Sequence, residues 1–148
     1  MHEPPLPLLI KITSKHLDRA IEESYQQQGI TNVSFQERNI LFSVYNEPGS
    51  AKASQIARAM KIPKSTLSDA VASLINRGYI FYSLSESDHR EKEITLTDEG
   101  RAFCQRLHQL YCRFNSEMEK GLSEEELEIV KKVLLIIIEN TKGGNNVN

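Results

Sequence analysis

Two cysteines in 148 residues, no secretory leader pattern and no long apolar run exclude several classes of protein at once. A disulfide-stapled extracellular domain needs more cysteine than this, so the chain reads as a reduced, cytoplasmic protein. Its longest apolar run, Val133 to Ile138, falls far short of the roughly 20 residues that cross a bilayer. No internal repeat occurs. Low complexity is confined to two places: the tail Gly143-Gly144-Asn145-Asn146, read as disordered, and the Pro-rich start His2 to Pro7, read as extended. No excess of either charge exists overall, because the formal net charge is −2. Any nucleic-acid binding must therefore rest on local charge. Catalytic groups in a convincing nucleophile–base arrangement are also missing, and His2-Glu3 lacks the second histidine of a zinc-protease motif. The chain reads as a non-enzyme that needs no cofactor.

What is present suits a soluble, folded chain of one domain, or of one compact domain with an appended helical arm. Its charge is segregated. From Ser50 to Tyr82 the basic residues Lys52, Arg58, Lys61, Lys64 and Arg77 face Asp69 alone. From Phe114 to Thr141 seven glutamates oppose Lys120, Lys131 and Lys132. Phosphate neutralisation is local, so this separation matters more than the total.

Apolar residues at Leu9, Ile10, Leu17, Ala20, Ile21 and Tyr25 recur every three or four positions, which predicts a first amphipathic helix ending near Gln28-Gly29. Ser34 followed by Glu37 is a capping-box signature. It opens a helix carrying Ile40, Leu41, Val44 and Tyr45 that stops before Glu47-Pro48-Gly49. Ser54 then caps a short helix with Ile56, Ala57 and Met60 inward, followed by a break at Lys61-Ile62-Pro63. A second helical pattern runs from Lys64 to Arg77, with Leu67, Val71, Leu74 and Ile75 on its buried side. Its opposite face presents Ser65, Thr66, Ser68, Asp69, Ala72, Ser73 and Asn76. Small polar groups there allow close approach to base edges, although any solvated helix face is also polar.

Two strand-like runs come next, Tyr79 to Leu84 and Glu93 to Leu96, rich in β-branched and aromatic residues. The tip between them concentrates Asp88, His89, Arg90 and Lys92. Helix, tight turn, helix and ribbon form the layout of a winged helix-turn-helix. An arginine at such a tip suits a narrow minor groove, whose negative potential attracts it. Asp88 could hold that arginine while DNA is absent.

Thr66-Leu67-Ser68, Leu74, Arg77-Gly78-Tyr79-Ile80, Asp88-x-Arg90-x-Lys92 and Leu96-Thr97-x-x-Gly100 together resemble the MarR family of bacterial transcription regulators, from about Leu8 to about Thr141. The Asp-x-Arg wing with Leu-Thr-x-x-Gly carries most of this resemblance. It implies a mainly α (α+β) fold: a winged helix-turn-helix whose N- and C-terminal helices form a dimerisation domain. It also implies a homodimer in which each subunit reads half of a pseudo-palindromic operator. Lys64 to Ser73 would supply the recognition face, and Arg90 the minor-groove contact. The full set of DNA-binding candidates is Lys61, Lys64, Ser65, Thr66, Ser68, Asp69, Ser73, Arg77, His89, Arg90 and Lys92. Asp69 departs from the pattern, since many members carry a basic residue there. An acid repels phosphate but can accept from cytosine N4, or it can pair with Lys61 or Arg77.

Phe103, Leu107, Leu110, Tyr111, Phe114 and Met118 form a helical stripe between Asp98 and Gly121. Ser123 with Glu126 forms a second capping box. The helix it opens turns apolar all round at Val133 to Ile138 and so must be buried. A second subunit is the economical partner, with the N-terminal helix as its companion; an intrachain bundle is the competing reading. The expected organisation is 1–33 (tail and dimerisation helix), 34–99 (winged helix-turn-helix), 100–142 (dimerisation helices) and 143–148 (disordered tail).

Cys104, His108 and Cys112 sit at four-residue steps on one helix. A neighbouring pair could chelate a soft metal, but the ends lie about 12 Å apart along the axis, too far for one ion or an internal disulfide. Packing at the stripe's edge is the competing reading. The resemblance also implies a cleft for a small aromatic or anionic effector, with His16, Arg38, Phe42 and Tyr45 as candidate lining and Arg38 meeting a carboxylate. The leading reading is a dimeric repressor released by a ligand. The alternatives are a winged-helix protein–protein module without DNA binding, and a thiol- or metal-responsive regulator.

Overall fold

A computed structural model of the chain describes residues 2–87 and 90–143. The first helix, α1 (Leu6–Gln27), begins earlier than its apolar periodicity suggests. Leu6 and Pro7 are helical rather than extended, because proline in a first turn gives up an N–H that has no helical partner there. Pro5 carbonyl accepts from the amides of Leu8 and Leu9 instead. The helix closes at Gly29, whose φ is +75°, with the amide of Ile30 donating to the Tyr25 carbonyl at 3.0 Å.

Helix α2 (Phe35–Asn46) carries half of the expected capping box: the Ser34 hydroxyl accepts from the Glu37 amide at 3.1 Å, while the Glu37 carboxylate accepts from Arg77 instead of the Ser34 amide. A two-residue strand, β1 (Ala51–Lys52), follows it and leads directly into α3 (Ala53–Met60). The N-cap of α3 is therefore Lys52, not Ser54, and no side chain caps the helix. The Ser54 hydroxyl donates instead to the Glu91 carboxylate at 2.9 Å. At the turn, Lys61 adopts a left-handed conformation (φ 54°, ψ 43°), and the Ile62 amide donates to the Ala57 carbonyl at 3.1 Å. Pro63 then opens α4 (Lys64–Asn76).

Leu67, Val71 and Leu74 of α4 are buried, but Ile75 is 37% exposed. A helix rotates about 100° per residue, so the position after Leu74 swings off the core face. Gly78, at φ +78°, reverses the chain into β2 (Ile80–Leu84), which pairs antiparallel with β3 (Lys92–Leu96). Ile80 lies opposite Leu96 and Tyr82 opposite Ile94. β1 completes a three-stranded sheet of order β1-β3-β2, with Ala51 opposite Ile94.

The Leu96-Thr97-x-x-Gly100 segment has a structural reason. Thr97 Oγ1 donates to the Gly78 carbonyl at 2.6 Å and accepts from the Gly100 amide at 2.9 Å. It thereby ties the end of the helix-turn-helix to the start of α5 (Asp98–Met118). Gly100 passes so close to the strand that an added Cβ would sit 1.9 Å from the Tyr79 carbonyl oxygen.

The chain divides into two compact units, 1–111 and 112–148. The core of the first gathers Ile40, Leu41 and Val44 from α2, Ile56 from α3, the inner face of α4, Ile80, Ile94 and Leu96 from the sheet, and Cys104, Leu107 and Leu110 from α5. In the second, α6 (Glu124–Lys142) starts with the expected complete capping box between Ser123 and Glu126. It has no buried residue; Ile129, Val130 and Val133 to Ile136 are among its exposed apolar side chains. No helix among the described residues is long and apolar enough to cross a membrane. The tail 144–148 lies outside the described residues.

Candidate nucleic-acid interface

Helix α4 and the ribbon meet in a cleft of about 360 Å³ whose walls include Ser54, Lys64, Ser68, Tyr82, Arg90 and Lys92. Sequence order makes this possible. β2 starts four residues after α4 ends, and the period of two along a strand sends Tyr82 to the same side as buried Ile80. The Tyr82 ring then lies under the Lys92 ammonium, 4.9 Å from its centroid, and its phenol hydrogen-bonds the Ser68 side chain. Burial pushes the Tyr82 phenol above its ordinary pKa, and the bond to Ser68 only partly opposes that.

The base of the ribbon is clamped to α3. Glu91 accepts from Ser54 and forms an ion pair with Lys52 at 3.2 Å. The Ser54 hydroxyl, and after it Lys52, hold the Glu91 carboxyl below the usual carboxylate range. A second tie, from the Ser50 hydroxyl to Glu93 at 2.7 Å, lies one pleat away. The wing thus leaves the body of the domain in a defined direction.

Lys61, Lys64, Ser65, Ser68 and Asp69 are exposed, and Thr66 and Ser73 are half-buried. The N-cap of α4 is Pro63, without a side-chain cap, so the positive end of the helix dipole is left open beside Lys64. Arg90 is exposed beyond β2, and Lys92 begins β3. Asp88 and His89 lie outside the described residues. Arg77 stands apart from the rest: its guanidinium is ion-paired with Glu37 at 3.0 Å, which ties the end of α4 to the first turn of α2. The same bond means Arg77 is not Asp69's partner, and no ion pair among the described residues includes Asp69. The sequence reading passed over Tyr82 and Glu91. Tyr82's signal was the alternation with Ile80; Glu91 had none, because its partners come from 37 and 39 residues away.

A separate cavity of about 380 Å³ opens between α1, α2 and α5. Arg38 and Phe42 line it, with Tyr25, Asn39, His108 and Tyr111; the expected Tyr45 packs on the core, and His16 is exposed on α1 away from it. Arg38 is not poised for a ligand carboxylate. Its guanidinium is buried, donates to the Val33 carbonyl at 3.0 Å, lies 4.5 Å over the Tyr25 ring and is ion-paired with Glu22. Burial raises the Tyr25 phenol above its ordinary pKa, and Arg38 partly opposes that.

The three residues of the cysteine–histidine line have different surroundings in the fold. Cys104 is fully buried, donates weakly to the Leu41 carbonyl at 3.8 Å, and burial pushes its thiol up to about 11. Cys112 is exposed and His108 faces the cavity. No group of three metal-ligating side chains occurs among the described residues. Packing in the core, not at the stripe's edge, accounts for Cys104.

Comparisons with known proteins agree on one family. Residues 31–91 match the model described as "MarR family". The HTH-type transcriptional regulator TcaR of Staphylococcus aureus is 27% identical over 116 residues, which covers 77% of this chain and 76% of TcaR. The HTH-type transcriptional regulator Hpr of Bacillus mycoides is 31% identical over 112 residues; the match covers 75% of this chain but only 60% of Hpr. Among solved structures, a MepR–DNA complex of S. aureus superposes with a TM-score of 0.76 at 21% identity, over 93% of this chain and 99% of that one. That last likeness shows the fold.

Proposed function

The chain belongs to the MarR family of transcription regulators, and from that premise we propose a homodimer that reads a pseudo-palindromic DNA site and is released by a small ligand. The observation that carries the DNA reading is the cleft where Lys64 and Ser68 of α4 meet Arg90 and Lys92 of the wing. In this reading the exposed first turns of α4, from Lys64 to Asp69, enter the major groove. The open helix N-terminus and Lys64 meet phosphate, and the hydroxyls of Ser65 and Ser68 reach base edges. Arg90 follows the neighbouring minor groove. Arg77, held by Glu37, orients the helix rather than touching DNA. A protein of the same fold, MepR, is solved in complex with DNA, which supports DNA as the partner.

Dimerisation is supported separately by each unit. Six consecutive apolar residues, Val133 to Ile138, lie on a helix with no buried residue, and α1 exposes Leu6, Leu8, Leu9 and Ile12. Apolar surface on this scale marks an association site. Two recognition helices so joined would fall one helical turn of DNA apart. Repression is then occlusion of a promoter, and the cavity beside α2 is the effector site. Because Arg38 is already neutralised by Glu22, the effector this cavity fits is aromatic rather than anionic.

Selection from random duplexes, followed by fluorescence anisotropy across a salt series, tests this reading. The expected result is one enriched, two-fold symmetric sequence whose affinity falls steeply and log-linearly with salt. A folded dimer that binds no duplex at low salt would instead identify a protein–protein module.

A further inference from the structure

The effector cavity has a neighbour. A second hollow, of about 470 Å³, opens on the other flank of α2, against Met60 and Ile62. The two share four wall residues: Phe35, Asn39, Phe42 and Asn46. Their spacings of four, three and four residues place them on a single stripe of the helix. Arg38 lies on one flank of that stripe and Gln36 and Ser43 on the other, so the stripe forms a low septum between two lobes. Each lobe is large enough for an aromatic ring.

The chemistry of the septum is specific. Phe35 is 62% exposed, a large aromatic that lines both lobes. The half-buried Asn39 carboxamide between the lobes makes no side-chain hydrogen bond among the described residues, and so offers both a donor and an acceptor. No ionisable side chain lines the second lobe. In the first, Arg38 is matched by Glu22, and His108 already has a partner. A charged ligand would be desolvated here without an opposing charge; a neutral one would not.

We propose that the two hollows form one bilobed site for a neutral molecule with two aromatic ends joined by a polar link such as an amide. One ring lies among Tyr25, Phe42 and Tyr111, the link bonds Asn39, and the other ring rests on Met60 and Ile62. This rests on the reading that the first cavity binds an effector, and it adds the second lobe and the ligand class. Met60 and Ile62 bracket Lys61, the left-handed residue that sets the turn before α4. A ring pressed against them acts on the direction of the recognition helix, and a one-ring ligand confined to the first lobe does not.

The probes are benzanilide, which has two rings joined by an amide, and benzamide, which has one. The chain has three methionines, Met1, Met60 and Met118, so a methyl-¹³C-methionine spectrum isolates Met60 without any mutation. Benzanilide should shift the Met60 methyl and leave Met118 in place, whereas benzamide should shift neither. Calorimetry should show benzanilide bound about tenfold more tightly than benzamide, as burial of a second ring requires. Ser43→Phe, which fills only the second lobe, should abolish that difference and leave benzamide affinity unchanged. Failure of benzanilide to bind the folded protein, or binding that neither moves Met60 nor responds to Ser43→Phe, overturns the proposal. Anisotropy on the selected duplex without either probe reports on DNA binding alone, so a failure of the regulator reading is seen separately.

Discussion

Replacing Gly100 by Ala sets two effects of opposite sign against each other. Gly100 lies in the first turn of α5, and helix propensity alone makes Ala better there by about 1 kcal/mol. The tertiary structure says otherwise, because the new methyl would sit 1.9 Å from the Tyr79 carbonyl oxygen. A contact that short cannot be absorbed by a side-chain rotation, since the opposing atom is backbone. The start of α5 must move away, at an overpacking cost of about 1–3 kcal/mol. Moving it also pulls on the Thr97 bridge and on the Tyr79–Phe103 stack, whose ring centroids are 4.5 Å apart. Partial loss of the cap and the stack adds about 1–2 kcal/mol. After the propensity gain is subtracted, the net destabilisation is about 1–4 kcal/mol, or about 3–15 °C in Tm for a chain of this size. Urea unfolding at 25 °C, followed by circular dichroism with equal m-values, measures it. A variant as stable as the parent, or more so, would refute the claim that close approach of α5 to Tyr79 requires the glycine.

Further outcomes follow from the site. Arg90→Ala should weaken binding to the selected duplex and reduce the slope of log affinity against log salt by about one ion, as read by anisotropy; an unchanged slope would remove Arg90 from the phosphate-rich surface. Asp69→Asn, which deletes an exposed acid beside the recognition face, should raise affinity for non-specific duplex and change the selected sequence at one step; unchanged binding would place Asp69 outside the interface. Lys61→Gly should stabilise the domain by up to about 1 kcal/mol, because glycine adopts φ 54° without strain. The Cys104 thiol, raised to about 11 from an ordinary value near 9, stays protonated when folded at a pH where the unfolded chain ionises. Stability is therefore lost as pH rises from about 9 to 11, by up to about 1.4 kcal/mol per pH unit. Cys104→Ala should remove that part of the slope in urea titrations, and a thiol reagent should reach Cys112 well before Cys104 in the native protein.

The elements of this fold were legible wherever a local signal was strong. Both Ser-x-x-Glu caps, the α3–α4 turn, the apolar periodicities and the β2–β3 ribbon are short-range features, and each appears where the residues point. Legibility failed where a local rule had a competitor. Ser54 has the form of an N-cap, but Lys52 enters a strand and takes the position, which frees the hydroxyl for Glu91. β1 is two residues long and carries no period at all; its only cause is the backbone of β3.

By itself, then, the sequence determined a winged helix-turn-helix between helical arms, because capping, periodicity and turn chemistry act within a few residues and need no tertiary contact. The tertiary structure decided what each charged or polar group is free to do. Arg77, read as a DNA-binding cation, and Arg38, read as meeting an effector carboxylate, are ion-paired with Glu37 and Glu22. Tyr82, read only as a strand former, becomes the wall between recognition helix and wing. Ion pairs and cavities join residues from distant parts of the chain, and only the folded chain decides which of them meet.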